Sequence, residues 1–115
     1  MHELGIVFEV IDSVEKLAKE NHVKEVLSLT MEIGEVSTVI PDYFRDCFNW
    51  AKEKHELLKN CNLDIVVLQA ETYCKDCKKT YSTTQYGKEC PYCHHDNTYL
   101  LAGDELNIRD IKVSN

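Results

Sequence analysis

The sequence predicts an α+β fold: two helices on a small three-stranded mixed sheet, with a four-cysteine module inserted before the last strand. Three observations carry this. Apolar residues recur at three- and four-residue steps in two stretches, the spacing of one helical face. Short apolar runs at 27–33, 63–68 and 106–113 read as strands. Between Thr72 and Thr98, long apolar side chains give way to cysteine, tyrosine and lysine, so that stretch needs a support other than a core. With 115 residues, 43% of them hydrophobic, the chain can build one modest core.

Leu4, Val7, Ile11, Val14 and Ala18 define the first helix, with Glu9, Asp12, Glu15, Lys16 and Lys19 on its other face. Asn21 and His22 end it. Leu27, Leu29, Met31 and Ile33 alternate with Ser28, Thr30 and Glu32 as a strand that Gly34 closes. Pro41 suits the first turn of a second helix, where its missing N–H costs nothing. Phe44, Cys47, Phe48 and Ala51 form the apolar face of that helix, beside Tyr43 and Trp50. Leu63–Leu68 is the second strand. The strand–helix–strand order implies a right-handed parallel pair. Tyr99–Leu101 resumes an extended run, and Leu106, Ile108, Ile111 and Val113 form the last strand. The step from Ile108 to Ile111 breaks alternation and implies a bulge at Arg109–Asp110. The domains read as 1–71 with 99–115, and 72–98 as the insertion.

Charge narrows the function. The net charge is −7, which disfavours a duplex nucleic-acid binder or an anionic-membrane binder. The inserted stretch carries Lys75, Lys78, Lys79 and Lys88 against Asp76, Glu89 and Asp96, and the rest of the chain holds nine basic and seventeen acidic residues. No apolar run approaches a membrane span of about 20 residues, and the N-terminus does not read as a secretory leader. A cytoplasmic address is expected.

Cys74, Cys77, Cys90 and Cys93 form two CxxC pairs twelve residues apart. Each pair turns two sulfurs onto one ion, and the connection lets the second pair complete a tetrahedron, so one structural zinc per chain is expected. In so polar a segment the metal supplies much of the folding free energy. Lys75, Lys78 and Lys79 would soften the charge of the tetrathiolate, and Tyr73, Tyr81 and Tyr92 would jacket it. A closed ligand set leaves no place for a catalytic water, and no Ser/His/Asp set, carboxylate pair or phosphate loop is legible, so the chain does not read as an enzyme. His94 and His95 read either as exposed rim residues or as imidazoles competing for the zinc. Cys47 is expected in the core and Cys61 as a free surface thiol. His22 and His55 receive no role.

The chain opens Met1-His2-Glu3. A free α-amine, the amide of His2 and its imidazole Nδ1 can chelate one ion in a five- and a six-membered ring. Ni(II) and Cu(II) can drive the required amide deprotonation in a square-planar field, whereas zinc prefers a tetrahedron. The first amides of a helix lack intrahelical partners and are free to take part. His2 is the expected nickel ligand, with Met1 and Glu3 secondary.

Taken together, Met1-His2-Glu3-Leu4, Glu32-Ile33-Gly34-Glu35, Cys74-x2-Cys77-x12-Cys90-x2-Cys93 and Gly103-Asp104-Glu105-Leu106-x-Ile108 make a chain that resembles the HypA family of nickel metallochaperones for nickel–iron hydrogenase maturation. The likeness covers essentially the whole chain. It departs where His94-His95 follow Cys93, a place at which many members carry a small residue. The resemblance implies that nickel is cargo delivered to hydrogenase, and in some organisms to urease, that His2 is the key ligand, and that the zinc domain is separate. It also implies as partners a nickel-handling GTPase of the HypB type, the hydrogenase large-subunit precursor and urease accessory proteins. A monomer or weak homodimer is expected. The alternative from another class is a zinc-ribbon module for protein or nucleic-acid contacts, which the acidic charge disfavours. A redox enzyme using its CxxC pairs is a further one.

Overall fold

A computed structural model describes residues 3–115; Met1 and His2 lie outside the described residues. One compact unit holds the chain up to Glu32, Val39–Val66 and Asn107–Asn115, and a second holds Ile33–Thr38 and Val67–Leu106.

The first unit is helix on sheet. Helix α1 (Glu3–Glu20) buries Val7, Val10, Ile11, Val14 and Ala18, the stripe its spacing predicts. It ends with the Val23 amide bonded to the Ala18 carbonyl and the His22 amide to that of Lys19. His22 stands at φ 55°, the left-handed position of this C-terminal cap. Strand β1 (Glu25–Gly34) lies between β2 (Asn62–Leu68) and β6 (Leu106–Ser114). Lys24 N–H donates to Ser114 and Gly34 N–H to Glu105, which runs β6 antiparallel to β1. Glu35 N–H donates to Leu68 and Asn60 to the Glu25 carboxylate, which runs β2 parallel to it. The sheet is therefore mixed.

Helix α2 (Pro41–Ala51) buries Phe44, Cys47, Phe48 and Ala51, and two short 3-10 turns (Lys52–Lys54 and Glu56–Leu58) follow. Phe44, Phe48, Ile11, Leu29, Met31 and Leu58 of this unit are fully buried. The β1 alternation fails at one place. Val26 is buried and Leu27 is 44% exposed, so the inward phase restarts at Leu29 after two outward residues. Ile108 and Ile111 line one depression beside α1, and the strand runs unbroken through Arg109–Asp110.

Cys61 is not a surface thiol. It is fully buried, capped by Lys52 Nζ on its own carbonyl at 2.8 Å, and burial pushes its thiol pKa up against the pull of Lys52. The 3-10 turns fold its segment inward, which local polarity does not reveal.

The second unit contains a sheet of order β4-β3-β5, made from β3 (Glu71–Cys74), β4 (Thr80–Ser82) and β5 (Thr98–Ala102). Both neighbours pair antiparallel with β3. The Tyr99–Leu101 run thus joins the cysteine unit, which extends beyond the 72–98 stretch because β3 needs a second partner. Here also the two glycine motifs meet. A Cβ on Gly34 would overlap the Gly103 carbonyl, and one on Gly103, at φ +119°, would overlap Ala70. Only glycine permits that approach. The Val36 amide bonds the Gly103 carbonyl, while the Glu35 carboxylate accepts from Ala70 N–H and that of Glu105 from Gly103 N–H.

Candidate metal centre

Strand β3 delivers Cys74 at its end, and a turn carries the chain through Cys77 back to β4. The Lys78 amide closes that turn on the Cys74 carbonyl at 2.8 Å, and the His94 amide closes the second on the Cys90 carbonyl at 2.8 Å. The residue after each second cysteine, Lys78 or His94, has φ near +60°. That geometry folds each CxxC so that both sulfurs face inward. It also explains why a small residue suits the position after Cys93: a side chain in this region carries a steric cost that glycine avoids.

The four Sγ atoms lie within 4.8 Å of one another. Cys74 and Cys93 sulfurs are 3.6 Å apart and those of Cys77 and Cys90 are 3.5 Å apart. A tetrahedron with Zn–S bonds of about 2.3 Å needs sulfurs about 3.8 Å apart, whereas a disulfide needs about 2.05 Å. Cys74 and Cys90 are fully buried and Cys77 and Cys93 half-buried. Among the described residues this is the one cluster of three or more His, Cys, Asp or Glu groups able to hold a metal. The donor set fits zinc.

Burial opposes ionisation of Cys90, yet the amides of Cys93 and Tyr92 and the facing Cys77 and Cys93 thiols hold its pKa down to about 6. The Tyr92 amide lies 3.4 Å from this sulfur. At Cys93 the His95 amide favours the thiolate, but burial and the sulfurs of Cys74, Cys90 and Cys77 push the pKa up to about 12. Burial and the Cys90 contact raise Cys77 as well. A divalent ion among the four sulfurs favours their thiolate form.

Of the three expected jacket tyrosines, only Tyr81 serves. It is buried against the sulfurs and donates to the Gly87 carbonyl at 2.8 Å. Tyr73 pairs with the Tyr99 ring, and Tyr92 is exposed beneath Lys79 Nζ. His94 and His95 are exposed rim residues. His94 Nδ1 is 3.5 Å from Glu89 and His95 Nδ1 is 2.9 Å from Asp76. Asp76 also accepts from Asn97 Nδ2 at 3.0 Å, and that bond, ahead of the one from His95, holds its carboxyl below the usual range. The latch between the two turns is thus complete at neutral pH and lost as acid protonates Asp76.

Of the expected nickel ligands, Met1 and His2 lie outside the described residues. Glu3 is described and is 4% exposed. Its Oε2 accepts the Ile40 amide at 3.0 Å, tying the start of α1 to the residue that precedes α2. These groups are 37 positions apart, and nothing local in the sequence announces the bond. His55 was likewise missed: its Nδ1 lies 3.0 Å from Glu15 on α1.

The HypA family profile, described as hydrogenase/urease nickel incorporation metallochaperone, matches residues 1–113. The chain belongs to the HypA family. Hydrogenase maturation factor HypA of Actinobacillus succinogenes is 34% identical over 113 residues, covering 98% of this chain and 99% of the relative. That of Aeromonas salmonicida is 34% identical over 114 residues, covering 99% and 100%. The solution structure of the Ni metallochaperone HypA from Helicobacter pylori superposes with TM-score 0.72 at 28% identity, over 99% of this chain and 98% of that one. A second solution structure of HypA gives 0.75 at 30% identity, over 98% and 96%. Membership makes the chain a nickel metallochaperone of hydrogenase maturation, with a four-cysteine cluster that fits zinc, and it disfavours the nucleic-acid alternative.

Proposed function

We propose that this HypA protein holds Ni(II) at its N-terminus through the Met1 amine and the His2 amide and imidazole, and passes it on by protein contact. The observation that carries this is the division of donors. The four thiolates form a closed set suited to retaining zinc, so exchangeable cargo needs ligands elsewhere. In the nickel site Glu3 contributes its backbone amide; its carboxylate, engaged by the Ile40 amide, acts as a positioning group. The nickel chelate belongs to the unit built on α1 and α2, and the zinc to the 72–98 module together with the Tyr99–Leu101 run that pairs with its β3. Partners are a GTPase of the HypB type, the hydrogenase large-subunit precursor and urease accessory proteins. The protein works in the cytoplasm and catalyses no reaction.

The chain's single tryptophan, Trp50, lines a shallow depression with Leu4, Tyr43, Asp46 and Cys47. Ni(II), with its partly filled d shell, held two residues ahead of Leu4 should quench Trp50 fluorescence stoichiometrically. Transfer should then restore the fluorescence at a rate that rises with receptor concentration in a stirred mixture. Equal rates across a dialysis membrane would refute delivery by contact.

A further inference from the structure

We propose that Cys77 and Cys93 are sites of oxidation by hydroperoxides, each closing a disulfide onto the facing turn, Cys77 with Cys90 and Cys93 with Cys74, so that the module gives up its zinc reversibly. The thiolate is the form of cysteine that attacks a peroxide, and zinc ligation favours that form at all four sulfurs. Access then divides them. Cys74 and Cys90 are fully buried, whereas Cys77 and Cys93 are half-buried and open to a small oxidant. Each open sulfur meets a buried one across the two turns. Cys93 Sγ lies 3.6 Å from that of Cys74, and Cys77 Sγ lies 3.5 Å from that of Cys90. Each contact thus joins a sulfur that an oxidant reaches to one that a neighbouring sulfur reaches.

The chemistry balances with a hydroperoxide as the sole oxidant. The Cys77 thiolate attacks one peroxide oxygen. An S–O bond forms, the O–O bond breaks, and the departing alkoxide or hydroxide takes a proton from solvent. Cys77 is then a sulfenic acid, which condenses with a second thiol group. Cys90 supplies it: the S–S bond forms, the S–O bond breaks, and the hydroxide that leaves is protonated to water. Two thiolates, one hydroperoxide and two protons give one disulfide, one alcohol (water, from hydrogen peroxide) and one water. The two electrons lost by sulfur reduce the O–O bond. Cys93 and Cys74 repeat the sequence, and no thiolate remains to hold zinc. Each contact closes by about 1.5 Å to reach an S–S bond of about 2.05 Å, a shift that side-chain rotation supplies.

Protein contacts also tie the first turn to the chain that leaves the second. Cys74 pairs with Thr98 across β3 and β5, and the Lys75 amide donates to the Asn97 carbonyl at 2.9 Å. Asp76 meets His95 Nδ1 at 2.9 Å and accepts from Asn97 Nδ2 at 3.0 Å. A disulfide within either CxxC would leave the two turns without a covalent link. A bond from one turn to the other takes over as the staple, so reduction returns four thiolates to one place. Cys47 and Cys61 are buried in the unit that holds α1 and α2. Burial also pushes the Cys61 thiol up, which keeps it protonated and unreactive.

Titrating the zinc-loaded wild-type protein with hydrogen peroxide tests the site, read by a chromogenic zinc chelator, thiol counting and peptide mapping. Zinc should fall from one per chain to none, and of the six cysteines Cys47 and Cys61 alone should remain free. Mapping should find Cys77 bonded to Cys90 and Cys74 to Cys93. Dimedone present during the oxidation should trap sulfenic acid on Cys77 and Cys93 and spare Cys74 and Cys90. A thiol reductant with added zinc should restore one zinc per chain. Zinc retained under a large excess of peroxide overturns the proposal. So do bonds within a pair, Cys74 to Cys77 or Cys90 to Cys93, dimedone on the buried sulfurs, or zinc that does not return on reduction. Every readout is on the wild-type chain, so none depends on a ligand variant folding.

Discussion

In the unit built from α1, α2 and the β2-β1-β6 sheet, Phe44, Phe48, Ile11 and Leu29 are fully buried. In the cysteine unit, the cluster beside the sulfurs is Cys74, Tyr81 and Cys90, with Cys77 and Cys93 packed on it. The first unit excludes water with hydrocarbon. The second gathers four thiols whose joint ionisation is favourable only around a cation. One chain therefore holds a unit whose folding needs no metal and a unit whose folding depends on one. A carrier gains from that division: its helical scaffold stands whatever metal is available, and its zinc ligands remain committed.

The sharpest way to break the comparison is to remove a ligand. Cys74→Ala or Cys93→Ala should disorder residues 72–98 while α1 and α2 persist. Amide spectra should show collapse of those resonances alone, and a zinc-free variant with the module still ordered would erase the distinction. The converse change is Phe44→Ala. It should cost about 3–5 kcal/mol in the first unit, read by denaturant titration, and leave zinc at one per chain; loss of zinc in step with that cost would mean that the two units fold as one. A smaller effect sharpens the account of the turns. His94→Gly should stabilise the zinc-loaded module by up to about 1 kcal/mol, because glycine adopts φ near +64° freely. Destabilisation would show that the Glu89 contact of His94 matters more than its backbone.

Helix faces, Pro41 and the cysteine spacing were legible because each is a local pattern with a local cause. Three features were not. Cys61 lies among polar neighbours and is buried because two 3-10 turns redirect the chain. The Tyr99–Leu101 run reads as part of the terminal strand region, yet it pairs with β3, since pairing choice is a property of the whole sheet. Leu27 fits the alternation on paper and stands exposed, because the strand changes phase after Val26. At the site, the sulfur cluster followed from spacing. The Glu3–Ile40 bond and the His55–Glu15 pair join residues 37 and 40 positions apart, for which a single sequence carries no signal.

The N-terminal chelate is the central claim, and a nickel titration tests it most directly. The proposed chelate requires a free amine on Met1, which protein without a residue ahead of Met1 supplies. Untagged protein should bind one nickel per chain with a weak visible ligand-field band, as a planar nitrogen-rich site requires. One residue added ahead of Met1, or His2→Ala, should abolish both the tight binding and the band while zinc stays at one per chain. If the extended protein binds nickel as tightly and with the same spectrum, the chelate is wrong, and the exposed imidazoles of His94 and His95 become the next donors to remove.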